Sequence, residues 1–261
     1  MESFTLALLF TLLAGLSTGI GGFITLGGKG KKFLPAALGF SAGVMIYVSF
    51  LDIMPQALDS LRLDHGEDWA QILLALGFFI GILLIGLLDF LVPGEINPHE
   101  YVDEGVEEVR TSHQLLRIGR FSALAITFHN FPEGIATFIA TAANPAMGIS
   151  IAVAVAIHNI PEGISVAAPI YHATGDRKKA LKWAFGSGLS EPLGGLMGYL
   201  FLRPFLNPTV FGMVFSLVAG IMVYISLDEL LPTAEKYGDH HIAMFGLIAG
   251  MVVMAASMIL L

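Results

Sequence analysis

The hexapeptide HNFPEG at residues 129–134 recurs as HNIPEG at residues 158–163, and both copies lie inside apolar segments long enough to cross a lipid bilayer. An ionisable side chain in a membrane costs about 2.5 to 3.5 kcal/mol for Asp or Lys on insertion scales, so its presence normally marks a functional site. Each copy carries a His, an Asn and a Glu, and neither contains a lysine or arginine to neutralise the Glu. The pair therefore predicts a polar site that holds a metal cation within the membrane.

The composition is that of an integral membrane protein. Hydrophobic residues make up 55% of the 261 residues and charged residues 13%, with a mean hydropathy of +0.77, whereas soluble domains carry about 25% charged residues. Since a helical crossing uses about 20 residues, eight crossings with short loops would fill the chain and leave no room for a soluble domain. Cysteine is absent, which excludes disulfides, thiolate zinc sites and cysteine nucleophiles.

Apolar runs bounded by Gly, Pro and charged residues predict an all-α integral membrane protein with one transmembrane domain over residues 1–261. The longest connection, residues 93–117, is acidic, contains His99 and His113, and is predicted to be a cytoplasmic loop. The eight predicted spans are 4–26, 34–58, 69–92, 118–142, 146–170, 178–203, 208–232 and 240–261.

The basic residues indicate how the chain is oriented. With the N-terminus outside, the cytoplasmic side holds all of the 13 Lys and Arg residues except Arg62 and Arg203. This is a strong positive-inside bias, and it predicts that both termini face outward from the cytoplasmic membrane. The cytoplasmic residues are Lys29, Lys31, Lys32, Arg110, Arg117, Arg120, Arg177, Lys178, Lys179, Lys182 and Lys236.

A second repeat links spans two and seven. GVMIYVS at residues 43–49 aligns without a gap on GIMVYIS at residues 220–226, the alignment continues to Pro55 and Pro232, and Asp52 falls on Glu229. Because an odd number of crossings separates these spans, they run in opposite directions. Inverted repeats around a polar site are characteristic of secondary transporters, so helices 1–3 are predicted to be related to helices 6–8 around helices 4 and 5. The alternative is chance similarity between two Gly-rich apolar helices.

In each hexapeptide the His and the Glu are at positions i and i+4, so they share one helix face about one turn apart. Pro132 and Pro161 have no N–H, so they leave the carbonyls of Phe128 and Ile157 without helical partners and are expected to kink both helices. The glycine after each Glu allows a neighbouring helix to approach closely.

Facing each other, spans four and five would present two imidazoles, two carboxylates and two amide oxygens, enough for one divalent cation or for two that share bridging carboxylates. These groups belong to His129, Asn130, Glu133, His158, Asn159 and Glu162. The alternative is that the groups only satisfy one another, as buried polar groups must. Imidazole suits Zn, Fe, Cu and Ni, carboxylate also accepts Mn, and the affinity order alone favours Zn or Cu.

Other polar residues are candidates for the ion path. Glu191, in SEP at residues 190–192 of span six, is the best candidate for completing the site. Asp52, Asp89, Asp228 and Glu229 lie near span ends, where acids either attract ions or simply reach the membrane interface. Met45 and Met222 match in the second repeat; a thioether is a soft ligand, but methionine in a helix more often packs.

The paired hexapeptides together with SEP resemble the ZIP family of divalent metal transporters, most closely its bacterial zinc transporter branch. The resemblance covers essentially the whole chain, including SAGVMIYVSF at 41–50, HNIPEGISVAAPIYHATG at 158–175 and SLDELLP at 226–232. It implies eight transmembrane helices, external termini, a binuclear site between helices four and five, alternating access in which these helices move against the rest, and metal import into the cytoplasm. Many eukaryotic members carry a second His in the fifth-helix motif, so their metal preferences are not carried over.

The resemblance also assigns ligands. One metal site would be formed by His129, Glu133, His158 and Glu162. The second would be formed by Asn130, Glu133, Asn159, Glu162 and Glu191, with Glu133 and Glu162 bridging.

The sequence thus predicts an importer of Zn²⁺ and Fe²⁺, with Mn²⁺ and Co²⁺ as further candidates, that has no enzymatic activity or cofactor. Its expected partners are the divalent ions, the lipid bilayer and, since dimers are common in the family, a second copy, with no nucleic acid. A metal-selective channel is the closest alternative, because ligands alone do not separate a channel from a carrier. A membrane-embedded metal-dependent hydrolase is less favoured, because the H-E-x-x-H signature of zincin proteases is missing.

Overall fold

The computed structural model describes residues 2–28, 30, 32–91, 107–205 and 207–260, and within these residues the chain is helical with no β-strand. This confirms the all-α prediction. The α-helices are α1 (Glu2–Gly27), α2 (Phe33–Val48), α3 (Met54–Asp64), α4 (Glu67–Leu91), α5 (Glu107–Ala143), α6 (Pro145–Thr174), α7 (Arg177–Gly188), α8 (Ser190–Met197), α9 (Pro208–Tyr224), α10 (Leu231–Lys236) and α11 (His240–Leu260).

Six helical stretches of the described residues are long and apolar enough to cross a membrane, which supports a multi-pass membrane protein. The predicted spans 118–142 and 178–203 are not among them, although they fall on α5 and on α7–α8. Helix α5 is less apolar than the six stretches. Over 178–203 the chain is interrupted at Leu189, so α7 and α8 are only 12 and 8 residues long. The six stretches are Ser3–Gly27, Phe33–Asp64, Glu67–Phe90, Gly148–Thr174, Pro208–Lys236 and His240–Leu260.

Helix α5 begins inside residues 93–117, the segment predicted to be the acidic cytoplasmic loop. Helix α5 begins at Glu107 rather than after Arg117, because Leu115 and Ile118, one turn apart, are buried and continue the helix beyond the apolar run. Residues 93–106 of the predicted loop, including His99, lie outside the described residues, as do Lys29 and Lys31 of the orientation argument.

The helices pack as two bundles. The motif bundle consists of α1, α5, α6, α7 and α8, with α1 lying along α6 and α5 packed between α6 and α8. The framework bundle consists of α2, α3, α4, α9, α10 and α11, with α11 lying along α2 and α4 along α9. The two bundles meet chiefly where α2 packs against α6, and there the Ser41 hydroxyl donates a hydrogen bond to the carbonyl of Pro161 over 2.7 Å.

The two segments of the second repeat share an unusual local structure. A π-helical turn joins α2 to α3 at Ser49–Ile53, and another joins α9 to α10 at Ile225–Leu230. At the start of each turn a serine hydroxyl donates back to a methionine carbonyl, Ser49 to Met45 over 2.7 Å and Ser226 to Met222 over 2.8 Å. Each turn inserts a residue into the helix, and each carries an acidic residue of the repeat, Asp52 or Glu229.

The glycine after each motif Glu brings a second helix close. A Cβ atom at Gly134 would lie 1.9 Å from the carbonyl oxygen of Glu191 in α8, and a Cβ atom at Gly163 would lie 1.7 Å from the carbonyl oxygen of Thr18 in α1. Neither position has room for a methyl group, so the expected close approach is confirmed. At Gly134 it brings Glu191 against the α5 motif.

Candidate metal centre

The two hexapeptides face each other across the contact between α5 and α6. The Nε2 atom of His158 lies 2.7 Å from Oε1 of Glu133, so the pair joins the two helices. His129 Nε2 lies 3.3 Å from Glu162 Oε1 and 3.5 Å from Glu133 Oε2. The four side chains thus form one cluster of two imidazoles and two carboxylates.

The cluster is compact enough to bind one ion. Ligand atoms of His129, Glu133 and His158 all lie within 4.8 Å of one another, and the centroids of the two imidazole rings are 6.2 Å apart. His129, His158 and Glu162 are buried, whereas Glu133 is partly exposed. A partly exposed carboxylate beside buried imidazoles gives an approaching cation a point of first contact.

The two asparagines extend the cluster to a third carboxylate. Asn159 donates from Nδ2 to Oε2 of Glu191 over 2.8 Å and to the carbonyl of Ala14 over 3.1 Å. With its amide oriented to donate, Asn130 hydrogen bonds to Oε2 of Glu162 over 3.1 Å and to the carbonyl of Ile126 over 3.2 Å. The asparagines therefore orient Glu191 and Glu162.

Many polar atoms of this cluster are buried without a hydrogen-bond partner, although buried polar groups are normally satisfied. A bound cation would satisfy the lone pairs that remain, so the donor set fits a metal with nitrogen and oxygen ligands and no thiolate. The unsatisfied atoms are both ring nitrogens of His129, Nδ1 of His158, Oε2 of Glu133, Oε1 of Glu162, Oε1 of Glu191 and Oδ1 of Asn159.

A cavity of about 400 Å³ adjoins the cluster. His129, Glu133 and His158 line it, together with residues of both bundles, including Asp52 and Ser257 of the framework bundle. Gln56, which also lines it, donates a hydrogen bond to Asp52 over 2.6 Å. Lining residues come from the C-terminal part of α5 and the N-terminal part of α6, at the end of the molecule that the basic residues assign to the outside.

The structure brings together the seven residues singled out in the sequence, by the contacts given above, while their role as metal ligands stays a prediction. Met45 and Met222 lie in the apolar core, where packing accounts for them. Three histidines outside the motifs have other neighbours: His65 contacts Thr209, His172 contacts the carbonyl of Ala168, and His240 contacts Glu235.

A second polar cluster lies at the opposite end of α5, where Arg117, which was not among the candidate site residues, meets acidic residues that were. Ligand atoms of Asp89, Asp228 and Glu229 lie within 4.8 Å of one another, and Arg117 pairs with Asp89 and, over 3.5 Å, with Glu229. In the sequence Arg117 is one of the basic residues predicted at the cytoplasmic interface, yet its side chain is only 11% exposed. Its position between Leu116 and Ile118 was the available signal, because an arginine inside an apolar run needs a buried partner.

Comparison with known proteins gives consistent similarities over the chain. Residues 97–258 match the profile of the family described as ZIP Zinc transporter. The chain is 55% identical to the "Zinc transporter ZupT" of Chlorobium chlorochromatii (strain CaD3), over 99% of this chain and 98% of the relative. It is 53% identical to the protein of the same name from Oceanobacillus iheyensis, over 100% of both chains.

Proposed function

The chain belongs to the ZIP family of zinc transporters, and we propose that it imports divalent metal cations, zinc above all, into the cytoplasm. It is a transporter rather than an enzyme, as the family is. The observation that carries the proposal is the convergence of both hexapeptides on one buried cluster, in which seven polar atoms of the histidines, glutamates and Asn159 lack hydrogen-bond partners.

We propose that the cluster binds two ions. Its first site would use His129, Glu133, His158 and Glu162, which the distances between imidazoles and carboxylates support. Its second site would use Asn130, Asn159, Glu191 and the two bridging glutamates, which the Asn159–Glu191 and Asn130–Glu162 hydrogen bonds support.

The donor set also suggests which ions share the path. Imidazole suits Zn²⁺ and Fe²⁺, and carboxylate suits Mn²⁺. Mn²⁺ and Co²⁺ are therefore proposed as further ions that the site binds. The absence of a thiolate favours a site that releases its ion instead of trapping it. The ions are cargo, and the transport reaction needs no cofactor.

We propose that residues 1–261 form one transport domain in the cytoplasmic membrane, with eight crossings, external termini and an inverted repeat that relates helices 1–3 to helices 6–8. The matched π-helical turns at Ser49–Ile53 and Ile225–Leu230 support the repeat. A homodimer is part of the proposal, and residues 93–106 with the start of α5 would form the cytoplasmic connection.

A carrier fits better than an open channel. In the proposed orientation the cavity reaches the cluster from the outer side, and buried residues such as Ala125, Met222 and Ile225 lie toward the cytoplasm. Import therefore needs a rearrangement, and we propose that the motif bundle moves against the framework bundle. An inside-negative potential favours cation import by about 2.3 kcal/mol per charge per 100 mV, which is doubled for a divalent ion.

The test compares the wild type with the double variant Glu133→Ala, Glu162→Ala in liposomes that contain a zinc-sensitive dye. Wild type is expected to give a saturable signal that the double variant loses, because loss of both bridging carboxylates costs more than the about 10–100-fold in affinity typical of outer-shell partners. Competition by Fe²⁺, Mn²⁺ and Co²⁺ then ranks the cargo.

The matched control is Asp59→Ala, Asp68→Ala, which removes two exposed carboxylates on the outer side and should leave the signal unchanged. If folded wild type gives no signal with any of the four ions, the proposal fails. Equal transport by the wild type and the Glu133/Glu162 variant would place the path elsewhere.

A further inference from the structure

Arg117 forms a salt bridge with Asp89 and Glu229 at the proposed cytoplasmic end of the molecule. Its guanidinium pairs with Asp89 through one nitrogen and lies 3.5 Å from Glu229 Oε1 through another. The three side chains are 11%, 17% and 2% exposed, respectively. A bridge this well buried is shielded from solvent, so its charges interact strongly with one another.

The bridge crosses the boundary between the two bundles. Arg117 belongs to α5 of the motif bundle, whereas Asp89 lies in α4 and Glu229 in the second π-helical turn of the framework bundle. One turn earlier on α5, Gln114 accepts a hydrogen bond from Lys236 of α10 over 2.7 Å. These contacts tie the bundles together at the cytoplasmic end, while the cavity separates them at the outer end.

The chemistry of the bridge is unusual for an ion path. Asp89, Asp228 and Glu229 offer carboxylate oxygens within 4.8 Å of one another, an arrangement suited to a cation. Arg117 supplies that cation from the protein itself, and its guanidinium does not lose its proton in proteins. An incoming metal ion and Arg117 would compete for the same oxygens and repel each other.

We propose that Arg117 is the cytoplasmic latch of the transport cycle: it holds Asp89 and Glu229 while the outer cavity is open, and it releases them when the cytoplasmic side opens. The proposal rests on the transport function proposed above. A buried ion pair contributes little net stability compared with apolar replacements, so its better-supported use is to select between arrangements. Here it selects the arrangement with the cytoplasmic end closed.

A purely structural arginine would behave differently. If Arg117 only neutralised Glu229, its removal would lower the stability of the folded protein. It would not change how readily a reagent on the cytoplasmic side reaches the interior of the protein. The test therefore measures access from the cytoplasmic side rather than stability or transport alone.

The chain contains no cysteine, so one introduced thiol reports access without background. Ala125 is a suitable position, because it is buried between the bundles on α5, between Arg117 and His129. In proteoliposomes with the cytoplasmic face outward, a membrane-impermeant maleimide should label Ala125→Cys slowly. Adding Arg117→Met should raise the rate by about tenfold or more, since a latch of about 1.4 kcal/mol shifts a two-state equilibrium by that factor.

The matched control is Arg120→Met, which removes an exposed arginine one turn away that stacks on Trp183. It should leave the labelling rate unchanged. Unchanged labelling in folded Arg117→Met would overturn the latch.

If Arg117→Met does not fold, the same labelling experiment is done with Asp89→Asn, which removes the charge of one partner of the arginine and keeps the side-chain volume. A smaller rise in labelling is expected, and no rise overturns the latch. Zinc uptake by the wild type is measured in the same vesicles, so that failure of the transport function is seen separately from failure of the latch.

Discussion

At the level of single residues, two carboxylates of the candidate site have different neighbours. Glu133 contacts an imidazole of the opposite helix directly, whereas Glu191 is held by the amide of Asn159. Both environments leave one carboxylate oxygen without a hydrogen-bond partner, Oε2 of Glu133 and Oε1 of Glu191. The protein thus orients each carboxylate through one oxygen and keeps the other available for a ligand.

Metal affinity should fall on acidification. Protons compete with a metal for His129, His158 and the glutamates, so zinc binding should weaken when the pH is lowered from about 7.5 to about 5. Isothermal titration of the purified protein with Zn²⁺ at both pH values measures this. The double variant His240→Ala, His241→Ala, which lacks two exposed histidines, should keep the same pH dependence. Equal affinity of the wild type at both pH values would contradict the assignment of the ligands.

At the scale of helices, close packing around glycine sets the geometry of the site. Gly134 allows α8 to approach α5 until the Glu191 backbone fills the space of a side chain, and Gly194 of α8 allows the same at Phe131 of α5. A Cβ at Gly194 would lie 2.0 Å from the carbonyl oxygen of Phe131. This double contact explains how a third helix brings its carboxylate to a site formed by two others.

The variant Gly134→Ala should therefore destabilise the protein. Overpacking typically costs about 1–3 kcal/mol, and here the obstacle is backbone, which cannot rotate away. The control is Gly186→Ala in α7, where a Cβ would meet nothing within 4 Å and helix propensity predicts a gain of up to about 1 kcal/mol. Thermal unfolding in detergent measures both, and a Gly134→Ala melting temperature equal to or above that of Gly186→Ala would show that the helices separate easily.

For the molecule as a whole, the distribution of basic residues and the position of the cavity are consistent with one orientation in the membrane. The basic residues assign the start of α5 to the cytoplasm, and the cavity opens at its other end. The polar clusters therefore follow one another along the proposed path, with Asp52 near the outer side, the hexapeptides in the middle and Glu229 near the cytoplasm.

This orientation is testable with single thiols in the cysteine-free chain. Gly66→Cys, in the connection between α3 and α4, should react with an impermeant maleimide added outside intact cells. Lys178→Cys, at the start of α7, should react only after the membrane is opened. Both positions are exposed, so lack of reaction reflects the membrane rather than burial. The reverse labelling pattern would invert the topology.

Composition and motif spacing were enough to predict the helical membrane class and the polar residues of the candidate site. Hydropathy predicts the class because the bilayer requires backbone hydrogen bonds within each segment, and the cost of burying His and Glu in lipid predicts the candidate site. The i, i+4 spacing also predicted that His129 and Glu133 share a helix face, and the 3.5 Å distance between His129 Nε2 and Glu133 Oε2 confirms this.

Which distant side chains meet became visible only in the packed helices. The pairing of His158 with Glu133 and of Asn159 with Glu191 depends on helix packing, which local periodicity does not encode. The same holds for Arg117, whose partners are 28 residues away at Asp89 and far later in the chain at Glu229. The π-helical turns could not be predicted from the sequence either, because they are local departures from the regular helical period. The packing of the surrounding helices stabilises these departures.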